Sequence, residues 1–438
     1  MKRQRTSGLI GFVLIALLLC AFGSVAISAE KKVILEVWDQ WEYYGMSAAG
    51  PAIDKIHQEY EKTHPNVMLD RSVFGGGFPI RNAVELALTS GEAPDVFYSW
   101  PSGAGVAVYA GAGYLKDLTP YADKYNWWDR LPEWAMLRNT YRGRLYAYPW
   151  EKDLEFVYYN KRIFGELGVG EPKSYEEFMS ICDKAKEAGY IPVSFGNSTL
   201  WPAVNNFSDF ATLTGGRQLV VDVLQGKAKW NNPAFKDALE RLVEMAERGY
   251  FTLGFNGVDY NDALMDLYGG KATMQWTGTW VIHGVIRNMP KGELDIFYFP
   301  QIYPDKPLAS HTSEGSAYYI WKNSKIPDIA AEYIDFIISD RFLKTWIVDG
   351  YTIPIRKAHT DYEGLGLHPV IVKAFSIGEE IQDYCGDAMH TTAPPRVTYV
   401  LYHQIQAVLT GELSISDFLD QVDKQMEIAM SKNEHWQP

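Results

Sequence analysis

The amino-acid sequence predicts an α/β protein built from two lobes. Its 438 residues correspond to two or three packed units at roughly 150 residues per domain. Strand-like and helix-like segments alternate from residue 33 to residue 99, and the same alternation begins again after residue 150. Since crossover helices join parallel strands through right-handed connections, each run predicts a doubly wound unit with a parallel sheet.

The first lobe starts with three predicted strands and two intervening helices. The strands are residues 33–38, 67–74 and 95–99. Ile53, Ile56 and Tyr60 mark one face of the first helix, which must end before Pro65. The apolar stripe of the second helix runs from Ile80 to Leu88 at helical spacing, so this helix faces the core.

The second lobe continues the pattern after residue 150. Its predicted strands are residues 154–159, 190–195, 272–276 and 294–299. Ser174 and Glu177 form a capping box at the start of one helix, and Pro233 occupies the first turn of another. A strand at 316–321, a helix at 328–339 and a largely helical portion from 368 to 430 complete the chain.

The amino terminus has the features of a secretory signal peptide. Basic residues at positions 2, 3 and 5 precede an uncharged stretch from residue 9 to residue 22, and small residues follow it. We expect residues 1–29 to be removed and the mature protein to be periplasmic. Leu17, Leu18 and Leu19 precede Cys20 where lipid attachment prefers a small residue, so we expect no lipid anchor.

Charge and cysteine content exclude several classes of function. Lysine and arginine number 41 against 54 acidic residues, and a net charge of −13 repels phosphate backbones, so we expect no nucleic-acid partner. The nine histidines lack the spacing of a metal site, and no cofactor is predicted. Cys182 and Cys385 are expected to be two buried thiols rather than a disulfide.

Aromatic, acidic and amide residues follow the predicted strands, where open α/β sheets bind their ligands. The candidate binding residues are Gln40, Trp41 and Tyr43 after the first strand, Ser99 and Trp100 at the third, Glu151 and Asp153 at the lobe junction, and Trp201 and Trp280 in the second lobe. Aromatic rings cover the C–H faces of a sugar, while carboxylates accept hydrogen bonds from neighbouring hydroxyls. The set therefore favours a carbohydrate ligand. Two other interpretations stay open: tryptophans that only fill the lobe edges, and acidic residues that are simply solvated.

Several segments, in this order, resemble a known family. They are Gly91-Glu-Ala-Pro-Asp95, Tyr146-Ala-Tyr-Pro149-Trp-Glu151, Gly270-Lys-Ala-Thr-Met274 leading to Gly278-Thr-Trp280, Ser313-Glu-Gly315, and Gly350-Tyr-Thr-Ile-Pro354. Over nearly the whole mature chain, the sequence resembles the extracellular solute-binding proteins of carbohydrate ABC transporters, the family that includes maltose-binding protein.

The resemblance implies a two-lobed periplasmic-binding-protein-like fold of type II, with hinge segments between discontinuous lobes. The expected lobes are residues 30–150 plus 294–338, and residues 151–293 plus 339–438. It implies ligand contacts at Gln40 to Tyr43, Ser99 or Trp100, Glu151, Asp153, Trp280 and Gly315. The implied partners are a mono- or oligosaccharide and the membrane permease subunits of an ABC transporter, and we expect a monomer without enzymatic activity.

Two alternatives remain open at this stage. A secreted glycoside hydrolase or lyase would also combine aromatic rings with paired carboxylates, which Glu42, Glu151 and Asp153 could supply. The same fold could instead bind a polyamine, a peptide or an anion, and acidic groups in a cleft would suit a polyamine.

Overall fold

A computed structural model describes residues 32–40, 49–74, 78–99, 104–304, 306, 312–380 and 387–438. The predicted signal peptide lies outside the described residues, as do Trp41, Tyr43, Trp100 and Cys385. Cys182 is a free, buried cysteine on a helix face that points into the core, in agreement with its prediction as a buried thiol.

Eight strands of the described residues form one sheet in the order β2-β1-β3-β10-β6-β8-β7, with β9 also paired to β6. The strands are β1 Val33–Asp39, β2 Val67–Val73, β3 Val96–Ser99, β6 Ala147–Asn160, β7 Ile191–Ser194, β8 Ala272–Gly278, β9 Leu294–Phe297 and β10 Thr312–Ile320. A small hairpin joins β4 Thr140–Tyr141 to β5 Arg144–Leu145.

Strand β6 runs through both halves of the molecule. Its first half pairs with β10, and its second half pairs with β8 and β9. One continuous strand of 14 residues therefore carries the chain from the first lobe into the second. Residues 353–355 lie beside the same crossing, since Lys152 N donates to Ile353 O and Ile355 N donates to Trp150 O.

The pairing of β1 with β2 and β3 is parallel, as predicted, whereas in the second lobe β6 is antiparallel to β8 and β9, so the prediction of a parallel sheet is only partly correct there. β1 pairs in parallel with both β2 and β3, and β7 pairs in parallel with β8. β10 is antiparallel to β3 and β6 because it enters the first lobe from the opposite direction, on the return of the chain from the second lobe.

Helices cover both faces of the sheet. The α-helices of the described residues are Ala49–Thr63, Phe78–Ser90, Ala104–Gly111, Thr119–Lys124, Trp127–Arg130, Glu133–Arg138, Lys161–Leu167, Tyr175–Glu187, Trp201–Gly215, Arg217–Leu224, Pro233–Glu247, Tyr260–Tyr268, Ile282–Asn288, Pro327–Ile337, Pro369–Glu380, Met389–Thr392, Pro395–Leu409 and Ile415–Ser431. The predicted caps are present: Ser174 Oγ accepts from Glu177 N, and Pro233 occupies the first turn of its helix after the Asn232 cap. No helix within the described residues has both the length and the apolar composition of a membrane-spanning segment.

Packing shifts two of the predicted lobe boundaries. β9 pairs with the second half of β6, and Phe297 and Phe299 belong to the second-lobe core, although residues 294–338 were expected in the first lobe. Conversely, Phe342 and Trp346 lie in the first-lobe core, and Trp346 Nε1 donates to Ile337 O, so the chain returns to the second lobe later than residue 339. The rest of the predicted division stays a prediction.

Candidate functional site

Two carboxylates lie where β6 crosses between the lobes. Glu151 and Asp153 are two residues apart on an extended strand, so their side chains leave the same face. Both are partly exposed. Tyr98 Oη donates to Glu151 Oε1 at 2.6 Å, and Ser316 Oγ donates to the same oxygen at 3.4 Å.

The protein surroundings favour the protonated forms of both acids. Burial raises the pKa of Glu151 to about 7, although its hydrogen bonds from Tyr98 and Ser316 act in the opposite direction. Burial also raises the pKa of Asp153, and the nearby carboxylates of Glu151 and Glu155 raise it further. Near neutral pH this crossing therefore carries less negative charge than its sequence suggests.

Gly315 provides the space for this acid pair. It lies at an irregularity in the pairing between β10 and β6, opposite the two carboxylates. A Cβ atom at Gly315 would stand 2.5 Å from Asp153 Oδ2 and 2.7 Å from Glu151 Cγ. Any larger residue would displace the acids, so the glycine is required by their position.

Three aromatic residues form the second side of the site, and we call Trp201, Tyr260 and Trp280 the aromatic wall. The ring centroids of Trp201 and Tyr260 are 4.6 Å apart, and those of Trp201 and Trp280 are 5.7 Å apart. Trp280 Nε1 donates to Tyr260 Oη at 2.9 Å. Both tryptophans remain partly exposed, so the wall is not sealed within the core.

The sequence order of the second lobe explains why the wall forms. Trp201 opens the helix after β7, and Trp280 follows β8. Because β7 and β8 are parallel neighbours, their carboxyl ends meet at one edge of the sheet. Gly278 allows the indole of Trp280 to lie against the backbone, since a Cβ there would overlap the ring.

Thr279 connects the wall to the acid pair. Its hydroxyl lies 3.5 Å from Asp153 Oδ1 and accepts a hydrogen bond from Leu154 N at 3.2 Å. The residue just before Trp280 thus contacts the crossing strand, and the aromatic and acidic parts of the candidate site are adjacent.

Of the predicted site residues, the structure brings together Glu151, Asp153, Gly315, Trp201 and Trp280. Ser99 is buried at the end of β3, opposite Ala317 of β10, and next to Tyr98. Gln40 is partly exposed directly after β1. Trp41, Tyr43 and Trp100 lie outside the described residues, so their placement stays a prediction.

Two contributors were missed by the sequence reasoning. Tyr98 lies inside β3, and Tyr260 begins a helix, whereas the strand-end rule applies to residues that follow strands. The only available signal for Tyr98 was its position next to Ser99. Within the described residues, no group of three or more histidine, cysteine or acidic side chains is arranged to hold a metal ion.

Comparison with known proteins supplies the family. Residues 46–342 match the model of the bacterial extracellular solute-binding proteins. The chain belongs to this family. It is 23% identical over 386 residues to a multiple sugar-binding protein of Streptococcus mutans, covering 86% of this chain and 87% of that protein. It is also 23% identical over 423 residues to a probable sugar-binding periplasmic protein of Rhizobium meliloti, covering 94% and 97%.

Solved structures of other binding proteins share the fold. A chitin oligosaccharide binding protein superposes with a TM-score of 0.79 at 22% identity, covering 91% of this chain and 99% of the other. A solute-binding protein in complex with raffinose superposes with a TM-score of 0.70 at 18% identity, with the same coverage. The predicted two-lobed α/β fold and the predicted family are therefore confirmed.

Proposed function

We propose that this family member binds a sugar or oligosaccharide between its lobes and delivers it to the permease subunits of an ABC transporter. The observation that carries the proposal is the pairing of a partly exposed indole, Trp280, with the carboxylates of the crossing strand through Thr279. Relatives whose names describe sugar binding support this choice of ligand.

The chemistry of the two parts suits a pyranose ring. The aromatic wall offers flat surfaces to the C–H face of the ring, and the carboxylates accept hydrogen bonds from the hydroxyls at its edge. Tyr98 donates to Oε1 of Glu151 at 2.6 Å, which orients the group so that Oε2 can accept from the ligand. A partly desolvated site strengthens each such hydrogen bond relative to water.

Binding would be coupled to closure of the lobes. A sugar that contacts both lobes has a higher affinity for the closed arrangement, so it shifts the equilibrium towards that state. Closure would be the signal that the permease recognises. A micromolar affinity corresponds to about −8 kcal/mol, which a few stacked rings and charge-assisted hydrogen bonds can supply.

We also propose that the protein acts as a periplasmic monomer, exported through the predicted signal peptide, and that it releases its ligand unchanged. The elevated pKa of Glu151, about 7, would also suit the acid of a hydrolase. Incubation with labelled oligosaccharides distinguishes the two functions: we expect retention without product, and appearance of a shorter product would contradict binding alone.

A thermal-shift panel tests the choice of ligand. It contains xylose, glucose, galactose and N-acetylglucosamine, their di- and trisaccharides, raffinose and spermidine. A sugar at a hundredfold excess over its Kd adds about 2.7 kcal/mol of stability. If only spermidine stabilises the protein, the ligand is a polyamine and the sugar proposal is wrong.

Two tryptophan variants locate the binding site in the same assay. Trp280→Ala is expected to abolish the stabilisation by the sugar. The control is Trp128→Ala, which removes an indole that is 38% exposed on a first-lobe helix and bonded to Asp123. The control is expected to retain the full shift, and equal losses would contradict the assignment of Trp280.

A further inference from the structure

Tyr351 has a backbone conformation that is rare for a residue with a side chain. Its φ is +50°, in the left-handed region, where a non-glycine residue costs of order 1–3 kcal/mol. A glycine would satisfy this backbone at lower cost. The position nevertheless carries a large aromatic ring, which is partly exposed.

The neighbouring backbone forces this conformation. Gly350 N and Thr352 N both donate to Trp346 O, each at 3.1 Å, so the chain turns tightly around one carbonyl of the first lobe. Directly afterwards, Ile353 O accepts from Lys152 N on the crossing strand. The backbone of Tyr351 is therefore held between two hydrogen-bonded segments.

The ring of Tyr351 contacts the second lobe. Its centroid lies 5.2 Å from that of His283, with an interplanar angle of 40°. His283 follows Trp280 by three residues on continuous helical backbone, a turn at Thr279–Val281 that continues as Ile282–Asn288. Residues at this spacing lie on the same side of a helix, so His283 is the neighbour of Trp280 along the edge of the lobe.

The register of the crossing strand gives the same location. Glu151 is bridged to Pro354, and Glu155 pairs with Gly278 at the end of β8. The hinge segment, residues 353–355, and β8 thus follow one another along the same edge of β6, and Tyr351 lies two residues before this segment. Ring contacts join Trp201 to Trp280 and His283 to Tyr351, and His283 follows Trp280 by three positions in the sequence.

We propose that Tyr351 and His283 form a second sugar platform beside Trp280, so that the solute is an oligosaccharide of at least two rings. This inference rests on the proposed function and specifies its substrate class. The platform combines two amphipathic rings, which can cover the C–H face of a second pyranose and hydrogen-bond to its hydroxyls.

The test compares each oligosaccharide with its own monosaccharide by isothermal titration. The probes are xylose with xylotriose, glucose with maltotriose, and N-acetylglucosamine with its trimer, on the full chain. Tyr351→Gly removes the ring and keeps the left-handed backbone. The control is Tyr399→Ala, since Tyr399 is 64% exposed on the Pro395–Leu409 helix and forms a second tyrosine–histidine pair, with its ring centroid 4.3 Å from that of His403.

We expect the wild-type protein to bind one trisaccharide at least tenfold more tightly than its monosaccharide. Tyr351→Gly should lose about tenfold in affinity for that trisaccharide and less than twofold for the monosaccharide, with an unliganded melting temperature that is unchanged or higher. His283→Ala should reduce the trisaccharide affinity severalfold. Tyr399→Ala should change neither affinity.

Three results would overturn the inference while the proposed function stands. They are a wild-type protein that prefers the monosaccharide, a Tyr351→Gly variant with full affinity for the trisaccharide, and equal losses for both ligands, which would show a structural role at the hinge. If none of the sugars binds the wild-type protein, the proposed function itself fails, and the second platform fails with it.

Discussion

Carboxylates lie in two regions near the junction of the lobes, and their surroundings differ. In the first region, Arg138 forms an ion pair with Asp387, and their side chains are 2% and 1% exposed. Asn139 Nδ2 donates to both oxygens of Glu314, at 2.8 and 2.9 Å. These acids have partners from the protein itself, and the region is closed to solvent.

The acid pair of Glu151 and Asp153 has a different environment. Within the described part of the chain, no lysine or arginine forms an ion pair with either acid, and both remain partly exposed. The comparison indicates that burial alone does not identify a binding site. A partly exposed acid without a cation from the protein has hydrogen-bonding capacity left for a ligand.

The closed region also holds the lobes together. Ser208 Oγ, in a second-lobe helix, accepts from Met389 N, two residues after Asp387. The carboxyl terminus adds a further connection, since Trp436 packs in the second-lobe core and its Nε1 donates to Leu137 O at 3.2 Å. We therefore expect changes in this region to affect stability and changes at Glu151 to affect binding.

The largest expected effect is on stability. Arg138→Leu leaves the carboxylate of Asp387 buried without its cation, and loss of one partner of a buried pair costs about 3–5 kcal/mol. Chemical denaturation measures this as a fall in the free energy of unfolding. The control is Arg144→Leu. Arg144 forms an ion pair with Asp117, and its side chain is 65% exposed, so loss of this pair should lower the free energy of unfolding by less than about 1 kcal/mol. Equal costs for the two variants would remove the distinction between the regions.

The next effect is on affinity. Glu151→Gln should weaken binding of the best sugar from the panel at least tenfold, which is about 1.4 kcal/mol, because a charge-capable acceptor is lost. The free energy of unfolding at pH 7.5 should stay the same or rise, since the buried carboxylate is gone. Glu314→Gln is the matched control and should change affinity less than twofold. Loss of affinity in both variants would contradict the comparison.

The two regions should also give a measurable pH dependence of stability. Burial raises the pKa of Glu314 to about 8 and that of Glu151 to about 7, whereas both release their protons near 4.5 in the unfolded chain. The folded state then binds more protons across this interval, so these groups lower the free energy of unfolding as pH rises from about 4.5 to 8. Denaturation between pH 5 and 8.5 should show a smaller fall in the free energy of unfolding for Glu314→Gln than for the wild-type protein. An equal fall in both proteins would contradict a protonated Glu314 in the folded state.

The smallest effect tests the space around the acid pair. Gly315→Ala places a methyl group within 2.5 Å of Asp153, so the carboxylates must move and sugar affinity should fall severalfold. Gly165→Ala is the control, because no atom lies within 4 Å of the added carbon. A Gly315→Ala variant with unchanged affinity would show that the position of the acids does not matter for binding.

The sequence predicted those features that depend on local pattern. Alternating strands and helices predicted both lobes, and the strand-end rule predicted that Trp201 and Trp280 lie near each other, because the carboxyl ends of parallel strands meet at one edge. The pairing of Arg138 with Asp387 could not be predicted, since it joins residues far apart in sequence through the packing of two lobes. The left-handed turn at Tyr351 depends on a carbonyl of the buried Trp346 segment, and no local pattern encodes that contact.

The boundaries of the lobes show the same limit. Residues 294–297 have the composition of a strand, yet either lobe could have accepted that strand as a neighbour. The hydrogen bonds between β9 and the second half of β6 place β9 in the second lobe, and this half of β6 lies beyond the crossing between the lobes. Local propensity therefore identifies an element, and long-range register assigns its lobe.

The most direct test of the account is a crystal structure of the full chain with the tightest-binding sugar of the panel. We expect one sugar ring to stack on the indole of Trp280, with a hydroxyl within hydrogen-bond distance of Glu151 or Asp153. A sugar bound away from both the aromatic wall and the crossing strand would contradict the proposed site.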